Sequence, residues 1–498
     1  MRIVTASEMY EVDRFTMEEV GLEGKMLMEN AGRAIAEGIM KEISKQDEIL
    51  VLTGPGNNGG DGFVIARTLY LKGYRVRVYS LVPEEKIKGD ALYHLNILQN
   101  VGVPFHRLQN GELAVRLEGM DVIIDAMLGI GTKGALRSPY AEIVDKANKC
   151  EQAMRFAVDI PTGLSSDEGV ETEVAFKAHK TFTVQCPKES AFIEANAQYY
   201  GELEVVDIGL FTESLVNRPG KKVWLKEDVV RTFPVRERFS HKGSHGRGLI
   251  IGGAPNMPGA VMMAARAALR AGAGLVSIAA SHHLISTIAP YVPEATYTDL
   301  NLKTLDIDSF HAAAVGMGLG RSEQSASLFE DILRLANIPI IIDADGLYHL
   351  KKMKNMLKEH TAPVVLTPHF KEAADLLDTT VSALKQNPFS LTRAFSTEYG
   401  VYFLLKGPYT IITTTDGDQY VVTTGNESLA KGGSGDVLSG ILLGLLLQSH
   451  HITEALCNGR FIHGKTAEIL TRHTHSRYDL LASDVIEGLP MTLRTICK

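Results

Sequence analysis

Short runs of apolar residues alternate with amphipathic segments along most of the chain. In the first half, ILVLT, VRVYSL, DVIIDA and FAVDI start at residues 49, 76, 121 and 156. Segments with helical periodicity lie between these runs, for example at 63–72 and 90–100. This alternation predicts a mostly parallel sheet whose strands are joined by right-handed crossovers. Such sheets bind ligands at the carboxyl ends of their strands, so the loops after the apolar runs are the candidate sites.

A break in this pattern divides the chain near residue 216. The segment 211–226, FTESLVNRPGKKVWLK, has little periodicity and contains a Pro-Gly turn and the only tryptophan, Trp224. A second series of apolar runs follows, from GLIIGG at residue 248 through IPIIIDADG and PVVLTPH to YFLLKGPYTIITTT. We therefore predict two α/β domains fused end to end, at 1–215 and 226–498, with a linker at 216–225.

Composition and charge exclude several classes of protein. Charged residues make up 22% of the chain and hydrophobic residues 45%, as in ordinary globular proteins. The 51 basic and 59 acidic residues give a net charge of −8, so we expect binding to neither nucleic acid nor membranes. The four cysteines form no CxxC pair and the first residues lack a targeting pattern, so we expect a cytoplasmic protein. The apolar run ILLGLLL at 441–447 is too short to span a bilayer and predicts a buried helix.

The loop after the run ILVLT is rich in glycine, with the sequence GPGNNGGDG at 54–62. Its glycines at 54, 56 and 59 match the dinucleotide-binding fingerprint, but Asp61 places a carboxylate where a pyrophosphate would bind. We interpret the loop as a nest of backbone N–H groups ahead of a helix starting near Phe63. Asn57, Asn58 and Asp61 would then supply oxygens to a ligand or cation. A glycine-rich turn without a ligand remains an open alternative.

Two further apolar runs of the first half end in aspartate. Asp125 opens the loop DAMLGIGTKG, and Asp159 opens DIPTG. Three strand ends that converge in this way favour a binding site, although each aspartate could instead cap a following helix or turn. Because these ligands are oxygens, with no His or Cys nearby in the sequence, any bound metal would be a hard cation.

Together these three motifs resemble the N-terminal domain of the bifunctional NAD(P)H-hydrate repair enzymes, an epimerase with a Rossmann-like three-layer fold. The resemblance covers about residues 1–215. It implies that the hydrate is bound by Asn57, Asn58, Gly59, Gly60, Asp61, Gly129, Ile130, Gly131, Thr132, Lys133, Gly134, Ala135 and Asp159. It also implies a potassium ion held by Asn58, Asp125 and Thr162. Since inverting a carbinolamine carbon needs a group that gives and takes a proton, we assign Asp159 and Lys133 as acid–base candidates; a solvated loop lysine is the alternative for Lys133.

The second half contains the motif KGGSGDVL at 431–438, directly before the apolar run. Consecutive glycines at the start of a helix present N–H groups and the positive end of the helix dipole to an anion. Asp436 stands where it could take a proton from a hydroxyl that attacks phosphorus. The motif is similar to that of ribokinase-like phosphoryl-transfer enzymes, and a simple helix cap is the alternative.

Three other motifs occur with it, namely LKGPYT at 405–410, TPHFKE at 367–372, and the glycine-rich strand ends GAPNMPGA and GMGLGR. Their order resembles the C-terminal ADP-dependent NAD(P)H-hydrate dehydratase domain over about residues 223–498. The resemblance implies hydrate contacts from Ala260, Gly320, His369 and Asp436, and contacts to the AMP portion of ADP from Lys406, Gly407, Pro408, Tyr409, Thr410 and Gly435. The sequence departs from the family pattern at Met317, Gly346 and Phe370. We expect these differences to affect how the substrate fits at the rim of the site more than the chemistry at Asp436.

The combined resemblance implies a repair enzyme for hydrated NADH and NADPH. The first domain would interconvert the R and S hydrates, and the second would dehydrate the S form with ADP and Mg²⁺, giving AMP and phosphate. A homo-oligomer is expected. Open alternatives are a small-molecule kinase of the ribokinase class and an N-terminal half that only binds a ligand or protein. A nicotinamide dehydrogenase is disfavoured by Asp61, and no histidine group has a convincing third metal ligand among the 16 histidines.

Overall fold

The computed structural model describes residues 1–107, 117–132, 134–215 and 219–496. The chain divides into two compact units, which contain residues 2–220 and 221–498. Each has its own sheet and hydrophobic core. The segment predicted as a linker, 216–225, contains a short strand at Lys221–Val223.

The N-terminal unit is built on a parallel sheet. The strands within residues 2–220 are β1 (Arg2–Ile3), which is not part of this sheet, and the seven that form it: β2 (Glu48–Thr53), β3 (Arg75–Ser80), β4 (Phe105–Arg107), β5 (Val122–Ala126), β6 (Met154–Val158), β7 (Lys180–Val184) and β8 (Glu202–Val206). The sheet of the described residues has the order β4-β3-β2-β5-β6-β7-β8, and every pair in it is parallel. The α-helices are Ala6–Phe15, Gly24–Ile39, Asn57–Leu71, Gly89–Val101, Tyr140–Asn148 and Glu194–Tyr200. The predicted parallel α/β arrangement is confirmed.

Alternate residues of β2 show that this unit has three layers. Ile49 and Val51 pack into a cluster with Phe63, whereas Leu50 and Leu52 pack into a separate cluster on the other face of the sheet. A strand that is buried on both faces reads as a continuous apolar run. This is why ILVLT shows no alternation of polar and apolar residues.

The C-terminal unit has a larger sheet that is mostly parallel. Its strands are β9 (Lys221–Val223), β10 (Arg247–Ile251), β11 (Leu275–Ala280), β12 (Thr296–Asp299), β13 (Ala312–Val315), β14 (Ile340–Ile342), β15 (Val364–Leu366), β16 (Tyr402–Leu405), β17 (Thr410–Thr413) and β18 (Gln419–Val422). Within this unit they lie in the order β9-β18-β17-β16-β15-β14-β13-β10-β11-β12. The pairs β16-β17 and β17-β18 are antiparallel, so LKGPYT forms the turn of a hairpin as predicted.

The helices of this unit cover its sheet. They are Lys226–Thr232, Pro258–Arg270, His282–Ile288, Glu323–Leu335, Asp345–Leu350, Phe370–Leu376, Val381–Gln386, Pro388–Tyr399, Ser434–Leu446, Ile452–His473 and Ala482–Ile496. The run ILLGLLL lies in Ser434–Leu446, where residues 437–445 are all buried. The predicted buried helix is therefore confirmed. Among the described residues, no helix is both long and apolar enough to cross a membrane.

Two candidate active sites

A cavity of about 510 Å³ opens at the carboxyl ends of the strands in the N-terminal unit. The loops after β2, β5 and β6 all contribute residues to this cavity. The convergence of these three strand ends at one site was predicted from the sequence. The cavity is lined by eight of the residues predicted to bind the hydrate, namely Asn57, Asn58, Asp61, Gly129, Ile130, Gly131, Thr132 and Asp159. The described structure thus brings most of the predicted contacts together.

The other residues predicted for this site lie beside the cavity or outside the described structure. Gly59 and Gly60 are buried beneath it, and Gly134 and Ala135 follow its loop. Lys133, one of the two acid–base candidates, lies outside the described residues.

The helix after β2 begins at Asn57, so the prediction of a start near Phe63 was wrong. Its first turns replace the predicted nest of loop N–H groups. A Cβ atom on Gly59 would lie 2.1 Å from the carbonyl oxygen of Gly54, and one on Gly62 would lie 2.6 Å from Cβ of Ala126. Close packing therefore requires the glycines, and it outweighs their weak intrinsic preference for a helix.

Asp159 is fixed at the cavity wall by a buried lysine that sequence reasoning missed. It follows β6 with a φ of 66°, in the left-handed region. Lys188, only 1% exposed, forms an ion pair with Oδ1 of Asp159 and also donates to Thr183 Oγ1 (3.3 Å) and the carbonyl oxygen of Val184 (3.2 Å). The N–H of Val184 donates to the same Oδ1 (2.9 Å). The Lys188 ammonium thus places its three hydrogens on three oxygen acceptors and fixes the position of the Asp159 carboxylate at the cavity wall.

Asp13, Asp61 and Asp90 line the same cavity, and the pKa values of the first two are raised. Burial raises the pKa of Asp61 well above its usual range, and the neighbouring Asp159 and Asp13 raise it further. Burial also raises the pKa of Asp13 to about 6, with Lys188 opposing the rise and Asp159 adding to it. Three interacting carboxyl groups and one ammonium thus surround the space where a substrate would bind, and close to neutral pH the site can hold protons on carboxyl oxygens.

The three predicted potassium ligands lie together beside the cavity. Thr162 donates to Asp125 through both its hydroxyl and its N–H, each at 2.7 Å, and both residues are buried. The amide of Asn58 donates to the carbonyl oxygen of Leu128 (3.0 Å), while its own Oδ1 is buried with no hydrogen-bond partner among the described residues. Burial raises the pKa of Asp125 to about 6, despite the hydrogen bonds from Thr162 and Met127. An orphaned amide oxygen next to a buried carboxyl and a hydroxyl fits a monovalent cation with oxygen ligands.

The second site lies at the start of the buried helix Ser434–Leu446. Gly433 precedes this helix with a φ of 88°, which a residue with a side chain rarely adopts. Asp436 lies in the first turn, and burial raises its pKa to about 6, with a further contribution from Asp343 and opposition from Lys406. The predicted glycine-rich helix start with a carboxylate at its mouth is therefore present.

Strand ends assemble the surroundings of Asp436. Asp343, at the end of β14, accepts from Lys406 Nζ (2.8 Å) and Ser439 Oγ (2.7 Å). A Cβ atom on Gly435 would lie 3.5 Å from Lys406 Nζ. His369 pairs with Lys406 through a short parallel bridge, and its Nδ1 caps the helix Phe370–Leu376 by accepting from the N–H of Lys371 (3.1 Å). The motifs around 369, 406 and 435 thus meet at one place.

Gly407, Pro408, Tyr409 and Thr410 form the hairpin turn and the first residue of β17. Burial raises the pKa of Tyr409. The hydroxyl of Thr410 accepts a hydrogen bond from the buried Arg460 at 2.7 Å.

Two residues predicted to contact the hydrate lie on other elements of this unit. Ala260 lies near the start of the helix Pro258–Arg270, and its Cβ atom is 3.3 Å from where a Cβ atom on Gly318 would lie. The N–H of Gly320 donates to Asp345 Oδ2 (2.9 Å). Among the described residues, Gly320 forms no hydrogen bond with another predicted site residue.

Sequence reasoning did not assign Lys188, Asp13 or Asp343 to either site. Asp343 had the same signal as Asp125, an aspartate at the end of a parallel strand, and could have been found. Lys188 lies in a loop after β7, and Asp13 lies in the first helix with no distinctive neighbours in the sequence. Only the fold brings these two residues to Asp159.

Comparisons with known proteins find matches to both halves of the chain. The family model described as NAD(P)H-hydrate dehydratase matches residues 248–490, and the one described as YjeF-related protein N-terminus matches residues 24–190. A bifunctional NAD(P)H-hydrate repair enzyme from Moorella thermoacetica is 34% identical over 523 residues, which cover 100% of this chain and 97% of that protein. The enzyme of the same name from Coxiella burnetii is 33% identical, with 96% of each chain covered.

Solved structures resemble the C-terminal unit. The ADP/ATP-dependent NAD(P)H-hydrate dehydratase from Bacillus subtilis, co-crystallised with ATP and Mg²⁺, has a TM-score of 0.51 at 32% identity and covers 55% of this chain and 98% of its own. A ribokinase-like superfamily protein from Enterococcus faecalis has the same TM-score at 24% identity, which supports the fold alone. Since relatives above 30% identity match the chain along its whole length, it belongs to the family of bifunctional NAD(P)H-hydrate repair enzymes.

Proposed function

We propose that the chain repairs hydrated NADH and NADPH with one activity in each unit. The N-terminal unit interconverts the R and S hydrates, and the C-terminal unit dehydrates the S hydrate at the expense of ADP. The observation that carries the proposal is the presence of both sites in one chain: a cavity with Asp159 at its wall, and Asp436 at the start of a buried helix. A fusion is useful because the dehydratase accepts one epimer and the epimerase supplies it.

Dehydration requires loss of the hydrate's hydroxyl group, and hydroxide is a poor leaving group. Asp436 takes the proton of the hydrate's hydroxyl as that oxygen attacks the β-phosphorus of ADP, and AMP leaves. The ring nitrogen then expels phosphate while the neighbouring ring carbon loses a proton, which restores the dihydronicotinamide. The N–H groups of residues 432–435 and Lys406 offset the charge of the phosphoryl group. His369 and the turn 406–410 bind the hydrate and the AMP portion.

Magnesium and potassium would be bound by different groups. Among the described residues, no group of three His, Cys, Asp or Glu side chains is placed to hold a metal ion. A Mg²⁺ ion bound to the phosphates of the nucleotide would neutralise part of their charge. Potassium fits the oxygens of Asn58, Asp125 and Thr162, where its charge would draw the hydrate to the cavity.

The test is incubation of the purified chain with a mixture of both hydrates, with and without ADP and Mg²⁺. Absorbance of the reduced nicotinamide reports dehydration, and chromatography separates the epimers. Both hydrates should be consumed with ADP, faster than the epimers exchange in buffer alone. Exchange without ADP should slow when K⁺ is replaced by a large organic cation. Consumption of only one epimer would refute the epimerase assignment, and no consumption would refute the dehydratase assignment.

We also propose a cytoplasmic location and a homo-oligomeric state. The low number of cysteines, four in 498 residues with no CxxC pair, supports a reducing compartment such as the cytoplasm. Light scattering coupled to size exclusion measures the oligomeric state directly. A mass equal to one chain of 54.3 kDa would refute an oligomer.

A further inference from the structure

The geometry points to Asp13 as a second acid–base residue of the N-terminal site, working with Asp159 while Lys188 positions Asp159. This inference rests on the proposed epimerase function and deepens it. Neither Asp13 nor Lys188 belongs to the residues that the family resemblance implies. Both line the same cavity as Asp159.

The first helix brings Asp13 to the cavity. Thr5 caps this helix through Glu8, and the buried Met9 and Val12 anchor it against the unit. Asp13 follows Val12 and faces the cavity together with Tyr10. Unlike Asp159, the carboxyl group of Asp13 has no hydrogen bond from another described residue. Its oxygens are therefore available to a substrate.

The charged groups around Asp13 set its protonation. Asp159 and Asp61 face it as carboxyl groups, Lys188 as a cation and Tyr10 as a phenol. Lys188 is paired with Asp159, so its charge offsets only part of the effect of burial on the pKa of Asp13, and Asp159 raises that pKa further. Burial raises the pKa of Asp13 to about 6 and that of Asp61 well above its usual range. A group with a pKa near the working pH can both give and take a proton, which is what an acid–base residue requires.

These states match what epimerisation requires. Asp159, anionic, takes the hydroxyl proton of the carbinolamine; the C–O bond becomes C=O as the bond from carbon to the ring nitrogen breaks. The electron pair of that bond goes to the nitrogen, and Asp13, protonated, gives it a proton. After the freed aldehyde rotates, the nitrogen attacks the other face, returns its proton to Asp13, and the oxygen recovers its proton from Asp159. Each residue ends in its starting state, and no co-reactant is consumed.

The test is the rate of exchange from purified S hydrate to R hydrate, measured on the full chain without ADP. Asp13→Asn should lower this rate at least 100-fold, because a missing acid–base group costs about 10² to 10⁴ in rate. The wild-type rate should also change with pH near 6, and this dependence should be absent from the residual activity of the variant. Glu18→Gln is the matched control, since Glu18 is exposed in the next turn and does not line the cavity; it should keep the wild-type rate.

Other outcomes separate the possible failures. Exchange in Asp13→Asn within threefold of wild type would overturn the inference while leaving the epimerase assignment intact. If the wild-type chain itself exchanges the epimers no faster than buffer, the proposed function fails instead. If Asp13→Asn unfolds, the pair Asp13→Glu and Asp13→Gln decides, because the two side chains have nearly the same size and only the glutamate can both give and take a proton. Activity in Glu but not Gln supports the inference, and equal activities overturn it. ADP-dependent dehydration of S hydrate, measured in the same samples, should stay unchanged in every variant.

Discussion

At the scale of single residues, each site contains a buried carboxyl group next to a lysine that is already paired with another carboxylate, and burial raises the pKa of that group. Lys188 holds Asp159 in the first site, and Lys406 is bound to Asp343 in the second. In each case the neighbouring carboxyl group, Asp13 or Asp436, has a pKa of about 6. A lysine that neutralises one carboxylate leaves the next one with only partial compensation for burial, so that its pKa rises into the working range.

The dehydratase should lose activity at acid pH. Asp436 must be anionic to take the hydroxyl proton, and its raised pKa of about 6 means that it becomes protonated as the pH falls through that value. The turnover number for S hydrate at saturating ADP and Mg²⁺ should be level above pH 7 and fall about tenfold for each unit below 6. Initial rates corrected for decay of the reduced nicotinamide measure this. A turnover number that stays level down to pH 5 would exclude Asp436 as the base.

At the scale of elements, the second site depends on how closely the helix Ser434–Leu446 approaches the helix Pro258–Arg270. A Cβ atom on Gly440 would lie 2.1 Å from the carbonyl oxygen of Ala264. The close approach places the start of one helix, with Asp436, near the start of the other, with Ala260. Small residues on both helices fix the geometry of the site from within the core.

Gly440→Ala should therefore destabilise the C-terminal unit although alanine favours helices. We expect a loss of about 1–3 kcal/mol from overpacking, against a gain of up to about 1 kcal/mol from helix propensity. Urea unfolding followed by tryptophan fluorescence is selective for this unit, because Trp224 is the only tryptophan and is buried there. Gly259→Ala is the control, since its Cβ atom would have no neighbour within 4 Å. Equal midpoints for wild type and Gly440→Ala would contradict the close-packing account.

The elements that the sequence could predict are those with strong local signals. Apolar runs buried on both faces located the strands of both sheets, and the glycine-rich motif before ILLGLLL located the second site. The start of the helix at Asn57 could not be predicted, because five glycines in the nine residues 54–62 favour a loop until the packing against Gly54 and Ala126 is known. Lys188 and Asp13 were missed for a related reason: each is distant in sequence from Asp159, and only the strand order brings them together.

At the scale of the whole molecule, the chain carries two units, each with its own sheet, core and candidate site. Within each unit, the site lies where parallel strands end, which is where the fold class places ligands. Two sites with different chemistry predict that one activity can be removed by a single substitution while the other persists.

The most direct measurement is a time course of both hydrates with the Asp436→Asn chain in the presence of ADP, Mg²⁺ and K⁺. The variant should interconvert purified S and R hydrates at the wild-type rate and form no reduced nicotinamide above the uncatalysed background. Asp159→Asn should do the reverse, dehydrating S hydrate normally while the R hydrate persists at its spontaneous rate of exchange. Dehydration by Asp436→Asn near the wild-type rate, or loss of both activities in either correctly folded variant, would contradict the account.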